Sequence, residues 1–200
     1  MKNSKFIVKM AIICFVLIIM NLTLMSSRLQ DSLDTMTDDF DSLTVECQKL
    51  DIRLQAVENE WKRVDDIVKK ISILAPKIKE SSKLKLAYYI HYYGKQYDNS
   101  ELLENIMISL PRVESTYNKH ALGRAGEVGY YQIHPIHISK ADTNIYDEEY
   151  QVRKAYEILN RKVSIHSTIE YAVNSYNGWA SKNNPYYGKV IVQLEKIKNI

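Results

Sequence analysis

The chain has 200 residues, 46% of them hydrophobic and 26% charged, and a formal net charge of +3. That length holds one ordinary domain with attachments, and so small a positive excess argues against a dedicated nucleic-acid binder. Two cysteines rule out a disulfide framework and a cysteine zinc site.

Charge is uneven along the chain: +3 over residues 1–25, −4 over 26–75 and +4 over 76–200. The first segment contains the most apolar run, residues 6–25, with no charge between Met10 and Met25. Its length is about that of one membrane span. Lys2 and Lys5 precede it, and Asp31, Asp34, Asp38, Asp39 and Asp41 follow. The positive-inside rule therefore places the N-terminus in the cytoplasm. A cleaved signal peptide is the competing reading, but the small-x-small cleavage pattern is missing, with Leu24 and Met25 at the relevant positions. Cys14 follows Ile13, not the small residue expected before a lipidated cysteine. A core helix is the third reading. The expectation is an uncleaved anchor over residues 1–25, in a bacterial inner membrane, with the rest of the chain in the periplasm.

Residues 29–71 carry a heptad seam. Leu29, Leu33, Met36, Phe40, Leu43, Cys47, Leu50, Leu54, Val57, Trp61, Val64, Val68 and Ile71 alternate in steps of four and three, with no Gly or Pro between. Amphipathicity on a straight helix drifts off a strict 3.5 repeat over that distance, so the pattern predicts a coiled coil. The alternative is a single long helix folded back on the domain that follows. At a rise of ~1.5 Å per residue the seam measures about 65 Å, a stalk over residues 26–75. A homo-oligomer through 29–71 is the partner this seam implies. Cys47 sits at a d position, as a small apolar side chain or as a bridge between two copies.

Pro76 ends the long helix. A Tyr-rich helix is predicted over roughly Ser81 to Tyr93, with Gly94 as its C-terminal cap and its tyrosines as packing residues with polar tips. Asp98 to Ser100 caps the next helix. That helix carries Leu102, Leu103, Ile106, Met107, Leu110 and Val113 and ends at Glu114. A carboxyl at the end of an apolar helix is partly desolvated, which raises its pKa and suits it to act as a general acid. Ser115, Thr116, Tyr117 and Asn118 then leave the helix, and Gly123, Gly126 and Gly129 punctuate a loop. Glycines let such a loop take positive φ and approach a ligand closely.

The stretch from Pro111 to Pro135 resembles the goose-type lysozyme and soluble lytic transglycosylase superfamily. Glu114, Ser115, Tyr117, Asn118, Ala121, Gly126, Gly129, Gln132, Ile133 and Pro135 match its signature with correct spacing. Two places depart: Gly123 stands where Ser is frequent, and Tyr130-Tyr131 where Leu-Met is usual. A later stretch, Ser167 to Trp179, is similar to the family's A-x-Y-N-x-G signature at Tyr176, Asn177 and Gly178. Tyr186-Tyr187 and Val190 resemble its closing tyrosine and helix; the sequence leaves open which of the two corresponds, and Tyr187 is carried forward as the group near the sugar. The likeness covers roughly residues 80–195. Between the two signatures an amphipathic helix is predicted from Tyr150 to Lys162. His134 and His137 are three apart, but no further ligands accompany them, and no metal site is expected.

The resemblance implies an all-α fold, a lysozyme-like helical domain over 76–200, and peptidoglycan glycan strands as substrate. It implies Glu114 as the acid and Ser115, Gly129, Gln132, Tyr176, Asn177 and Tyr187 as groups near the sugar, with no metal or dissociable cofactor. An ordinary glycosidase needs a second carboxylate, and the matched motifs supply none. A lytic transglycosylase needs only one, because the sugar's own 6-hydroxyl attacks and leaves a 1,6-anhydro end. Three readings stay open: a lytic transglycosylase, a lysozyme-type muramidase, and a coiled-coil tether whose head only binds glycan. The first is the expectation, opening the cell wall for a secretion or conjugation apparatus or for a bacteriophage.

Overall fold

The structure is a computed structural model that describes residues 2–178, 181 and 184–198, with side chains from residue 14 onward. Its described residues form six α-helices: α1 (Lys2–Leu74), α2 (Glu80–Gly94), α3 (Ser100–Glu114), α4 (Glu148–Ile165), α5 (Ile169–Tyr176) and α6 (Tyr186–Ile197). A short 3-10 turn spans Pro135–His137. Two isolated β-bridges, Leu122 to Val128 and Val128 to Ile133, are the only β pairing among the described residues. The expected all-α class holds.

The chain divides into two compact units, Met1–Glu58 and Asn59–Ile200. In the first, the heptad positions from Leu29 to Val57 are exposed along a single helix, as are Cys14 and Cys47. Among the described residues no helix is long and apolar enough to cross a membrane. Of the run at 6–25, residues 6–13 lie outside those whose side chains are described.

The second unit starts earlier than the sequence reading placed it. Residues 59–75 group with this unit. Val64, Ile67, Ile71 and Leu74, spaced three and four apart, put one face of the end of α1 into the core of this unit. Polar contacts fasten the same stretch. Glu104 is 2% exposed, and its carboxylate accepts from Arg63 at 2.9 Å and contacts His91 Nδ1 at 2.9 Å. Lys70 Nζ donates to Asn105 Oδ1 at 3.0 Å. A buried carboxylate needs such partners, because burying it unpaired costs several kcal/mol.

Helix α3 carries Glu114 at its end. It packs on α2 and α6, while α4 packs on α2 and α5. Leu103, Ile106, Met107, Ile108 and Leu110 are buried on it. Its N-cap, Asn99, is left-handed and makes no side-chain capping bond, so the predicted Asp98–Ser100 cap is absent. Gly94 is not a left-handed cap either, but the last residue of α2. A Cβ there would lie 2.8 Å from both Glu104 Cγ and Tyr156 Oη. Glycine at 94 lets α2 approach α3 and α4 closely. The starts of α4 and α5 are capped by side chains: Asp147 accepts from Glu149 N at 2.9 Å, and Thr168 from Tyr171 N at 3.3 Å. Tyr89, Tyr93 and Tyr97 pack against the core as expected, whereas Tyr88 and Tyr92 stay half exposed with rings stacked 6.0 Å apart.

Candidate active site

Glu114 sits on the last turn of α3, and that turn is opened by a proline. Pro111 has no N–H, so the carbonyl of Met107 loses its usual helical donor. The hydroxyl of Tyr131 donates to that oxygen instead, at 3.1 Å. The next carbonyl, Ile108 O, accepts from the Tyr117 hydroxyl. Both tyrosines are buried, and the backbone groups that proline exposed are satisfied. This explains one departure from the family pattern: a tyrosine at 131 supplies a donor that a methionine lacks. Pro111 O then accepts from Ser115 N at 3.1 Å and Tyr117 N at 2.9 Å. Thr116 and Tyr117 turn the chain out of the helix in the left-handed region, at φ of 56° and 59°.

The glycine-punctuated loop is tied back to this turn. Ser115 Oγ donates to Tyr130 O at 2.8 Å. Gly129 N donates to Ala121 O at 2.8 Å, and Gly123 N to Glu127 O at 2.7 Å. Gly129 has φ +75°, and a Cβ there would lie 2.2 Å from Gln151 Oε1. Only glycine suits that position. The fully buried Gln151 side chain accepts from Tyr130 N at 2.6 Å and donates to Lys119 O at 3.4 Å. Gln132 is also left-handed, at φ 45°, and its amide donates to Gly129 O at 3.0 Å.

The far wall comes from the end of α5, which packs on α6. Asn174 on α5 is fully buried. Its amide donates to Ser181 O at 3.0 Å, and its oxygen accepts from Tyr187 N at 2.8 Å. One carboxamide thus grips the segment leading into α6. Tyr186, at the start of α6, donates its hydroxyl to Glu114 Oε1. Tyr176 ends α5 and donates to Tyr131 O at 3.0 Å.

These elements enclose a cleft of about 380 Å³ with Glu114, Glu127, Gln132, Tyr176 and Asn177 in its lining, together with Arg124, Lys162, His134 and His137. Four of the seven residues expected at the site line it: Glu114, Gln132, Tyr176 and Asn177. Ser115 and Gly129 do not. They hold the loop's backbone from behind. Tyr187 does not line it either, and the tyrosine on the acid is its neighbour Tyr186. A one-residue step along a helix turns the side chain by about 100°, so the two adjacent tyrosines face different ways. Sequence reasoning left the choice between Tyr186 and Tyr187 open, and it missed Gln151 and Asn174, whose isolated amides carry no signal without their partners. A larger hollow of about 600 Å³ lies between the α2–α3 and α4–α5 turns. Its one carboxylate is Asp98, and among the described residues no tyrosine is bonded to it, so the smaller cleft is the candidate site.

Burial pushes the Glu114 carboxyl up to about 7, with the Glu127 charge adding to the effect. The Tyr186 hydrogen bond and the Lys189 charge oppose it. Burial, then the nearby Glu114 charge, holds the Tyr176 hydroxyl protonated well above its ordinary range. The cleft therefore presents a carboxylic acid that is substantially protonated at neutral pH, beside neutral hydroxyls and an amide. That is the equipment for donating a proton to a leaving oxygen.

Residues 91–190, half of the chain, match the profile of the transglycosylase SLT domain. Comparison with curated proteins and with solved structures gave no match.

Proposed function

Because the chain belongs to the transglycosylase SLT domain family, we propose that it is a membrane-anchored lytic transglycosylase of peptidoglycan. It cleaves the β-1,4 bond between N-acetylmuramic acid and N-acetylglucosamine and leaves a 1,6-anhydro end. The observation that carries this reading is Glu114, a half-buried acid raised to about 7 and fastened by Tyr186 at a cleft of about 380 Å³.

In the reaction, protonated Glu114 gives its proton to the glycosidic oxygen. The C1–O bond breaks, and its electron pair leaves with that oxygen. Positive charge develops on C1 and the ring oxygen, as in other glycosidic cleavages. The 6-hydroxyl of the same sugar attacks C1, and its proton returns to Glu114. Gln132, Tyr176 and Asn177 hold the sugar in place through hydrogen bonds. The residues 6–25 anchor the chain in the bacterial inner membrane with its N-terminus in the cytoplasm. The seam from Leu29 onward pairs copies of the chain, and the cleft works in the periplasm. Its task is local opening of the wall beside a secretion or conjugation apparatus, or for a bacteriophage.

One observation favours a second reading, a lysozyme-type muramidase. Glu127 places a second carboxylate in the same cleft, and hydrolysis needs one. Mass spectrometry of the products from purified full chain on peptidoglycan separates the two. Anhydro-muramic ends, one water lighter than hydrolysis products, are expected. Reducing ends would move the assignment to a muramidase.

A further inference from the structure

The transglycosylase reaction needs one carboxylate, yet the cleft holds two. Glu127 is not there by accident of a surface loop. The bond from Gly123 N to Glu127 O, at 2.7 Å, folds the loop so that these two residues face each other. A Cβ at Gly123 would lie 2.2 Å from Glu127 Oε2 and 2.7 Å from Gln132 Oε1. Gly123 is not among the residues with positive φ. Glycine at 123 therefore serves space and not conformation. Glu127 Oε2 is further fixed by the Ala125 N–H, at 2.9 Å. The second departure from the family pattern, glycine where serine is frequent, thus makes the seat for a carboxylate.

We propose that Glu127 is a positioning residue for the Glu114 acid, seated by the missing side chain of Gly123. The proposal rests on the transglycosylase reading only for the use to which the acid is put. The groups that act on Glu114 come from several elements: Tyr186 and Lys189 from α6, Tyr176 from α5 and Glu127 from the loop, while Lys162 of α4 and Arg124, His134 and His137 line the same cleft. Tyr186 and Lys189 favour the carboxylate form, whereas Glu127 disfavours it. Among the described residues Glu127 supplies the negative charge that opposes them. Its effect belongs to the end of the cycle. After the 6-hydroxyl has formed its bond to C1, Glu114 must keep the proton it receives and not lose it to water. A fixed negative charge nearby favours that state.

The test uses the full chain in detergent, with ¹³C-labelled glutamate, and follows the Glu114 carboxyl by NMR as pH is varied. In Glu127→Gln its midpoint falls by about half a pH unit or more, the scale expected for one charge across a partly screened cleft. Glu127→Asp keeps the charge and shifts the midpoint less. Gly123→Ala pushes the carboxylate from its seat and reproduces the Glu127→Gln shift, and the double variant moves no further. The alkaline limb of kcat/KM on peptidoglycan follows the same order. A midpoint unchanged in Glu127→Gln overturns the proposal, as does a Glu127→Gln variant that melts earlier with its midpoint unmoved. If the parent chain makes no products, the transglycosylase reading fails, and the NMR titration still decides the role of Glu127.

Discussion

Glu114 is useful in the form that the fold makes hardest to lose. Replacing it with Gln keeps the shape and removes the proton, and the rate on peptidoglycan should fall by roughly 10² to 10⁴. The same residue costs stability. Its folded value of about 7 lies above the ordinary carboxyl value of 4.5, so between those pH values the folded state holds more protons than the unfolded one. Stability therefore falls as pH rises through that window, by on the order of 3 kcal/mol in all. Glu114→Gln should consequently melt at the same temperature as the parent near pH 4 and clearly above it at pH 8. Tyr186→Phe acts in the opposite sense to a change at Glu127. Loss of its hydroxyl removes a bond that favours the carboxylate, so the alkaline limb of the pH–rate profile should move upward. Unchanged profiles in that variant would remove Tyr186 from the site. Glu114 was legible from ten letters at fixed spacing. Tyr186 was not, because adjacent tyrosines read alike in sequence and only the helix phase separates them. Gln151 and Asn174 were illegible for a related reason: each acts through backbone groups distant in the chain.

The helices were largely readable and their limits were not. Heptad spacing continues without a break from Leu29 to Ile71, and nothing in it marks where exposed positions give way to core. The change occurs between Trp61, half exposed, and Val64, at 3%. An apolar residue every three or four positions suits a partner helix and a domain core equally well. Two outcomes follow for the end of α1. Ile71→Ala should destabilise the second unit by about 2–5 kcal/mol, as for other buried Ile or Leu truncations, measured by denaturant unfolding. A chain beginning at Lys77 should unfold at lower denaturant than one beginning at Asn59, because it lacks Val64, Ile67, Ile71, Leu74 and the Arg63 partner of Glu104. Equal midpoints would return residues 59–75 to the stalk. The start of α3 teaches the same lesson in small. Asp98, Asn99 and Ser100 are all good caps by residue type, but Asn99 took the left-handed turn and left its side chain out of the cap.

For the whole molecule, the apolar positions from Leu29 to Val57 are exposed along the first unit. A second copy of the chain is the proposed cover. Sedimentation of the full chain in detergent should give a mass above that of one copy, and substituting Asp at Leu43 and Leu50 should return it to one. If the copies run parallel and in register, mild oxidation should join them through Cys47, seen as a doubled band that reductant removes. The two units also differ in how they were read. The first was legible only as a period, which names a kind of surface and no chemistry. The second was legible through side chains whose chemistry demands particular neighbours. Pro111 now bears on how the second unit comes apart. Since Tyr131 from the loop occupies the carbonyl that proline left open, the last turn of α3 cannot fray alone without stranding a buried oxygen. Helix end and loop should open together as one cooperative unit. In hydrogen exchange, the amides of Ser115, Gly129 and Ile133 should then share a single opening free energy, and Tyr131→Phe should lower all three at once.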